Sequence, residues 1–174
     1  MLIVFTGNGK GKTTAAFGQA MRALGQRKKV LIIQFIKSWR SGEHFFLEEL
    51  KIPQSKLQII PTGKGFVKIL GDKLPFSVHK KAAQDGLRLA AEAVKSGKWD
   101  LIILDEINVA VNLKLIKAAE VLKILKSAPK NIDIILTGRN AAEKFIKYGD
   151  LVTEMREMKH PFQKGQSARI GIEF

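Results

Sequence analysis

Near the amino terminus, Thr6-Gly7-Asn8-Gly9-Lys10-Gly11-Lys12-Thr13-Thr14 sets glycines, lysines and threonine hydroxyls side by side in one short segment. Glycines at this density let backbone N–H groups converge on an anion without Cβ clashes. Lys12 adds a mobile positive charge, and the Thr13 hydroxyl is a hard oxygen donor for a magnesium ion. The combination is that of a phosphate-binding loop. It predicts a nucleoside triphosphate as ligand, with Gly7, Asn8, Gly9, Lys10, Gly11, Lys12, Thr13 and Thr14 as its contacts. The usual spacing places a glycine five positions before Gly11; here that position is Thr6, and Gly7 comes one place late.

A second candidate is the run Leu101-Ile102-Ile103-Leu104 ending in Asp105-Glu106. Alone, such a pair also reads as a strand end meeting solvent. Beside a phosphate loop it reads as a metal site of Thr13, Asp105 and Glu106, with Asp105 ligating magnesium directly or through water and Glu106 ligating metal or orienting a reactant. Arg139, in Thr137-Gly138-Arg139, has a planar fork able to clamp phosphate oxygens, and a plain surface arginine is the competing reading. His44, His79 and His160 lie far apart and no pair has metal-ligand spacing; His79 is expected as a surface or capping residue of a helix. The chain has no cysteine, which excludes disulfides, thiolate nucleophiles and zinc–sulfur sites.

These groups need elements to bring them together. Leu2–Thr6, Val30–Phe35, Leu57–Pro61, Leu101–Leu104, Ile132–Thr137, Leu151–Glu154 and Arg169–Phe174 are strand candidates, several of them continuous Val/Ile/Leu runs of the kind buried on both faces in a parallel sheet. Helical spacing follows the phosphate loop to Leu24, spans Ser77 to Val94, and aligns Leu115, Ala118, Ala119, Leu122 and Leu125 before Pro129. Gly86 argues against a straight helix in the middle one. Alternating strands and helices predict a three-layer α/β fold of the P-loop NTPase (RecA-like) kind with a mostly parallel central sheet, one nucleotide-binding domain over residues 1–174. Lys37 to Gly42 and Thr62 to Leu74 lack regular pattern, and the second is long enough to mark a functional loop. In a parallel sheet the carboxyl ends of the strands share one edge. There the phosphate loop, Gln34-Phe35-Ile36-Lys37, Asp105-Glu106 and Thr137-Gly138-Arg139 should meet, joined by Thr62-Gly63-Lys64-Gly65-Phe66 if its strand is also parallel.

With 45% apolar residues the chain has the composition of a globular protein, not a disordered one. The first residues carry no basic n-region and no apolar run approaches membrane-span length, so a cytoplasmic protein without a membrane partner is expected. The net charge is +14, but the lysines are dispersed among helical apolar positions and base-stacking aromatics are sparse. A solvated basic surface is favoured over nucleic acid as partner.

These segments together resemble the P-loop class of ATP:cob(I)alamin (corrinoid) adenosyltransferases over nearly the full length. The resemblance is carried by Thr6 to Ala16, Gln34-Phe35-Ile36-Lys37 with Trp39, Gly42 and Glu43, Gly65-Phe66, Leu104-Asp105-Glu106, Thr137-Gly138-Arg139, and the tail Lys159-His160-Pro161-Phe162, Gly165, Ala168 and Gly171-Ile172-Glu173-Phe174. It implies attack of a Co(I) corrinoid, cobalamin or cobyrinic acid a,c-diamide, on the 5′ carbon of ATP with triphosphate as leaving group, in cobalamin biosynthesis or salvage. ATP, Mg2+ and a reduced corrinoid are then the small molecules. Lys12, Glu106 and Phe66 would be catalytic, ATP would lie on the phosphate loop and Arg139 in reversed direction, and Phe66 and Trp39 would form the corrinoid wall. An electron-donating reductase and a second copy of the chain are the implied partners. Relatives commonly carry Gly-Phe-Thr-Trp where this chain has Gly65-Phe66-Val67-Lys68, and many have an amino-terminal cover over the corrinoid where this chain starts its first strand at Leu2. The competing activities are hydrolysis of ATP with Glu106 activating water, and nucleotide-dependent binding of nucleic acid.

Overall fold

Continuous apolar runs become strands covered on both faces. In the computed structural model, which describes residues 1–69 and 71–172 (the side chains of Phe162 and Lys164 excepted), the strands are β1 (Leu2–Thr6), β2 (Val30–Gln34), β3 (Leu57–Pro61), β4 (Leu101–Asp105), β5 (Asp133–Thr137) and β6 (Leu151–Glu154). They form one sheet in the order β3-β2-β4-β5-β1-β6, and every pairing is parallel. Side chains alternate between its faces. Ile3, Ile32, Ile103 and Ile135 meet Ala16 and Ala20 of α1 (Lys12–Gly25), with Leu47 of α2 (Gly42–Glu49) against the same cluster. Val4, Ile33, Ile102 and Leu136 meet the other layer, made by α3 (Phe76–Ser96), α4 (Ile107–Asn112), α5 (Ala118–Ser127) and α6 (Glu143–Tyr148). Two helical layers over a parallel sheet are the expected three-layer fold.

The strand order does the positioning. β5 lies between the strand leading into the phosphate loop and the strand ending in Asp105. The turn after β5 therefore stands between loop and acidic pair. β3 is parallel to β2, so the segment after Pro61 does leave the same edge.

Several details depart from the sequence reading. α2 forms in a stretch where no helix was expected, its first turn closed by reciprocal bonds between Ser41 and His44. The strand expected at Arg169–Phe174 is absent from 169–172, which end in a turn; Glu173 and Phe174 lie outside the described residues. Gly171 at φ 78° and the Ile172 N–H bonded back to Arg169 O at 3.2 Å close a turn there in place of an extended strand. His79 is not a surface or capping residue. It is 3% exposed, and its Nε2 lies 3.0 Å from Asp72 Oδ2. The segment after β3 folds back so that Asp72 also accepts the N–H groups of Lys68 and Leu74.

α3 runs unbroken through Gly86. A Cβ at that position would lie 2.5 Å from Thr62 Oγ1 and 3.2 Å from Phe35 Cε1, so glycine permits the root of the loop to pass over the helix. Gly18 in α1 has no such neighbour. Gly18→Ala is therefore expected to raise the melting temperature by about 2–4 °C from a gain near 1 kcal/mol of helix propensity. Gly86→Ala is expected to cost about 1–3 kcal/mol through overpacking. Thermal melts of the two variants check both signs.

Candidate active site

The phosphate loop is shaped by a crossing chain. Met155 N–H extends the ladder by donating to Thr6 O, and Gly9 N–H donates to Met155 O at 2.8 Å. A Cβ on Gly7 would lie 2.3 Å from Met155 O, and one on Gly9 2.7 Å from Arg156 O. These two glycines are required by backbone packing as well as by any anion. Thr6, where the usual pattern has glycine, uses its hydroxyl to accept the Ala141 N–H at 3.1 Å. That ties the end of β1 to the turn carrying Arg139. Gly11 adopts φ 115° and starts α1, so the amino end of a 14-residue helix faces the loop.

Lys12 is buried, and its Nζ donates to Gly9 O at 2.5 Å. Burial lowers its pKa, opposed by the nearby Glu106 carboxylate. Asn8, Lys10, Thr14 and Arg139 are exposed, and Lys10 Nζ reaches the carbonyl of Ile172 in the tail.

Asp105 is the junction of the site. It is 3% exposed. Its Oδ1 accepts from Thr13 Oγ1 at 2.9 Å and Thr137 Oγ1 at 2.7 Å, and its Oδ2 from Gln34 Nε2 at 3.2 Å. Burial raises its pKa; the three donors oppose that. Glu106 follows at φ 62°, a left-handed conformation that costs a non-glycine residue energy and recurs at functional sites. Its N–H donates to Thr137 Oγ1 at 2.9 Å. Burial, then the charge of Asp105, push its carboxyl up to about 7. Gly138, at φ 123°, packs so closely that a Cβ would lie 3.1 Å from Glu106 Oε2.

Across β2, Lys37 pairs with Glu43 at 3.2 Å and donates to Ser41 Oγ, and its charge reaches Asp105 and Glu106. Gly65 N–H donates to Ile36 O at 2.9 Å. The loop then carries Phe66 onto Trp39, with ring centroids 5.1 Å apart. Both rings stay open to solvent, 41% and 37% exposed. Lys68, two positions on, turns its ammonium over the Phe76 ring at 4.9 Å.

One sheet edge thus holds Lys12, Thr13, Asp105, Glu106 and Arg139, all coupled electrostatically or by hydrogen bonds, with the Phe66–Trp39 pair joined to it through β2. Sequence reasoning named the segments of Gln34 and Thr137 without giving either a role, and it missed Asn108. Asn108 is fully buried and donates to Gly138 O at 3.2 Å and Phe5 O at 3.4 Å. A polar residue inside an apolar helix start was the available signal. No group of three or more His, Cys, Asp or Glu side chains among the described residues could hold a metal ion. Magnesium needs less, because it is bound through one or two carboxylates, waters and substrate phosphates. The hard oxygens of Thr13, Asp105 and Glu106, with the buried Gln34 Oε1 that has no hydrogen-bond partner among the described residues, fit that ion.

Loop and topology define the fold as that of the P-loop NTPases. A KaiC-like protein from the hyperthermophilic archaeon Pyrococcus horikoshii OT3 shares it, with a TM-score of 0.55 at 16% identity over 91% of this chain and 73% of that one. The sequence matches the family of ATP:corrinoid adenosyltransferases BtuR/CobO/CobP over residues 1–174. It is 36% identical to a corrinoid adenosyltransferase of Escherichia coli K12, over all of this chain and 85% of that protein. It is 37% identical to one of a Sinorhizobium species, over all of this chain and 80% of that protein. The chain belongs to the ATP:corrinoid adenosyltransferase family, and so to the transferases.

Glu106 gives a pH signature for the unliganded protein. Its folded value of about 7 lies above the ordinary 4.5, so between these values the folded state keeps a proton that the unfolded chain has released. Its contribution to stability is full below the lower value and is lost as pH rises through the upper one. Glu106→Gln should therefore flatten the fall in melting temperature between about pH 5 and pH 8. Parallel curves for the two proteins would contradict the assignment.

Proposed function

We propose that this protein transfers the 5′-deoxyadenosyl group of ATP to the Co(I) of a reduced corrinoid, cobalamin or cobyrinic acid a,c-diamide, in cobalamin biosynthesis or salvage. The cobalt lone pair attacks C5′, a cobalt–carbon bond forms, the bond from C5′ to the triphosphate oxygen breaks, and triphosphate leaves with that electron pair. The nucleophile comes with the substrate, so no side chain need act as nucleophile or general base. The work left to the protein is alignment and charge screening. The observation that carries this reading is the family match over residues 1–174, in a chain whose phosphate loop shares its sheet edge with an exposed aromatic pair.

In this reading Gly7, Asn8, Gly9, Lys10, Gly11, Lys12, Thr13, Thr14 and Arg139 hold the triphosphate, which grows more negative at its bridging oxygen as the bond breaks. Lys12 and Arg139 meet that charge. Thr13, Asp105 and Glu106 hold Mg2+, which when bound neutralises phosphate charge. Glu106 also positions the ribose or metal, and Asp105 supports it. Phe66 packs on the lower face of the corrin with Trp39 beside it, keeping water and a lower ligand from cobalt. Residues 1–174 act as one nucleotide-binding domain. A reductase supplying Co(I), a homodimer and a cytoplasmic site of action complete the proposal. Among the described residues no helix is long and apolar enough to cross a membrane.

Incubation with ATP, Mg2+ and chemically reduced corrinoid should yield the adenosylcorrinoid absorption spectrum and free triphosphate. Folded protein that instead releases ADP and phosphate without corrinoid would establish the hydrolytic alternative. Lys12→Ala should lower kcat by about 10²-fold or more with the fold intact, the scale of losing one charge-stabilising donor. Phe66→Ala should slow reaction with corrinoids carrying a lower base more than with those lacking one; equal slowing would reduce Phe66 to loop packing.

A further inference from the structure

Gln34 interrupts an otherwise apolar strand, Val30-Leu31-Ile32-Ile33, at the position in register with Asp105. Its side chain has no exposure to solvent. The amide Nε2 donates to Asp105 Oδ2 at 3.2 Å, while Oε1 is buried without a hydrogen-bond partner among the described residues. Reversing the amide would set two acceptors against each other, so the polar chemistry favours this orientation. An orphaned buried acceptor forfeits the hydrogen bonds it would have made with water. An apolar residue of the same size would avoid that cost.

The surroundings indicate what Oε1 is for. Asp105 Oδ1 already accepts two hydroxyls, from Thr13 and Thr137, and among the described residues Oδ2 accepts the amide of Gln34 alone. Oε1 and Oδ2 therefore present unused acceptor capacity with no further donor among the described residues. The matching ligand has two hydrogens, and a water polarised by a cation donates most strongly. Magnesium characteristically keeps several such waters. We infer that Gln34 is a positioning residue that orients Asp105 through its amide and offers Oε1 to a magnesium-bound water arriving with the nucleotide.

The backbone of Gln34 has a separate task. Its carbonyl accepts from Thr62 N–H at 2.9 Å, Gly63 N–H at 3.2 Å and Thr62 Oγ1 at 3.1 Å, which fixes the root of the loop bearing Phe66. Changing the side chain leaves those three bonds available, so the side-chain role can be tested separately.

The inference rests on the proposed nucleotide–metal site, and the test separates the two. ATP binding is measured calorimetrically without corrinoid, once with Mg2+ and once with chelator, on wild type, Gln34→Met and Gln34→Glu, each checked for folding by thermal melting. Wild type should bind ATP more tightly with Mg2+. Gln34→Met, which keeps length but removes both polar atoms, should hold its metal-free affinity and lose about tenfold of the metal-dependent gain, the scale of removing an outer partner of a metal site. Gln34→Glu, which keeps an acceptor but replaces the amide donor to Asp105 with a second carboxylate, should lose at least as much of the gain. An equal gain in wild type and Gln34→Met overturns the inference, as does a full gain in Gln34→Glu, which lacks the amide donor to Asp105. No gain in wild type overturns the nucleotide–metal reading itself.

Discussion

A carboxylate cannot be buried at the centre of a sheet edge unless its oxygens are satisfied, and Asp105 meets that requirement from three elements at once. Thr13 comes from α1, Thr137 from β5 and Gln34 from β2. Each donor fixes the end of its own element relative to the others. The same Thr137 hydroxyl also takes the N–H of Glu106, which holds that residue in its left-handed conformation. Phosphate loop, acidic pair and the turn of Arg139 therefore have one common anchor.

The loop's unusual glycine spacing has a packing origin. The chain leaving β6 runs directly over Gly7 and Gly9, too close for a Cβ on either, and it takes the Gly9 N–H for itself. Thr6 in turn is bonded on both sides, to Met155 through its carbonyl and to Ala141 through its hydroxyl. A glycine at Thr6 would lose the second of these bonds. The segment that shapes the loop comes from the opposite end of the chain.

What could be read from sequence was whatever lay in contiguous residues. Leu101 to Glu106 carries its own strand, its burial and its acidic pair, and the run from Thr6 to Thr14 carries both its glycines and its cations. What could not be read was pairing across the chain. Asp105 is separated from Gln34 by 71 positions and from Thr137 by 32, and Asn108 from Phe5 by 103. A lone Gln or Asn in an apolar run signals a buried polar contact without naming its partner. Gly86 was misread for the same reason, because the reason for glycine there is Thr62 crossing above α3. His79 was misplaced because Asp72 meets it from an irregular loop with no period to extrapolate.

In the proposed reaction the triphosphate is a leaving group, where most P-loop proteins use it as a phosphoryl donor. The proposed reaction asks no side chain to attack; it leaves Lys12, Arg139 and the acidic pair to manage charge and the aromatic pair to manage access to cobalt. The bond that breaks is therefore between carbon and oxygen, not between oxygen and phosphorus. ATP carrying heavy oxygen at the bridge between C5′ and the α-phosphorus tests this directly. With reduced corrinoid present, the account predicts that all of the label leaves in triphosphate while the adenosyl group appears on cobalt. Label retained in a nucleoside di- or monophosphate, with no adenosyl on cobalt, would contradict it.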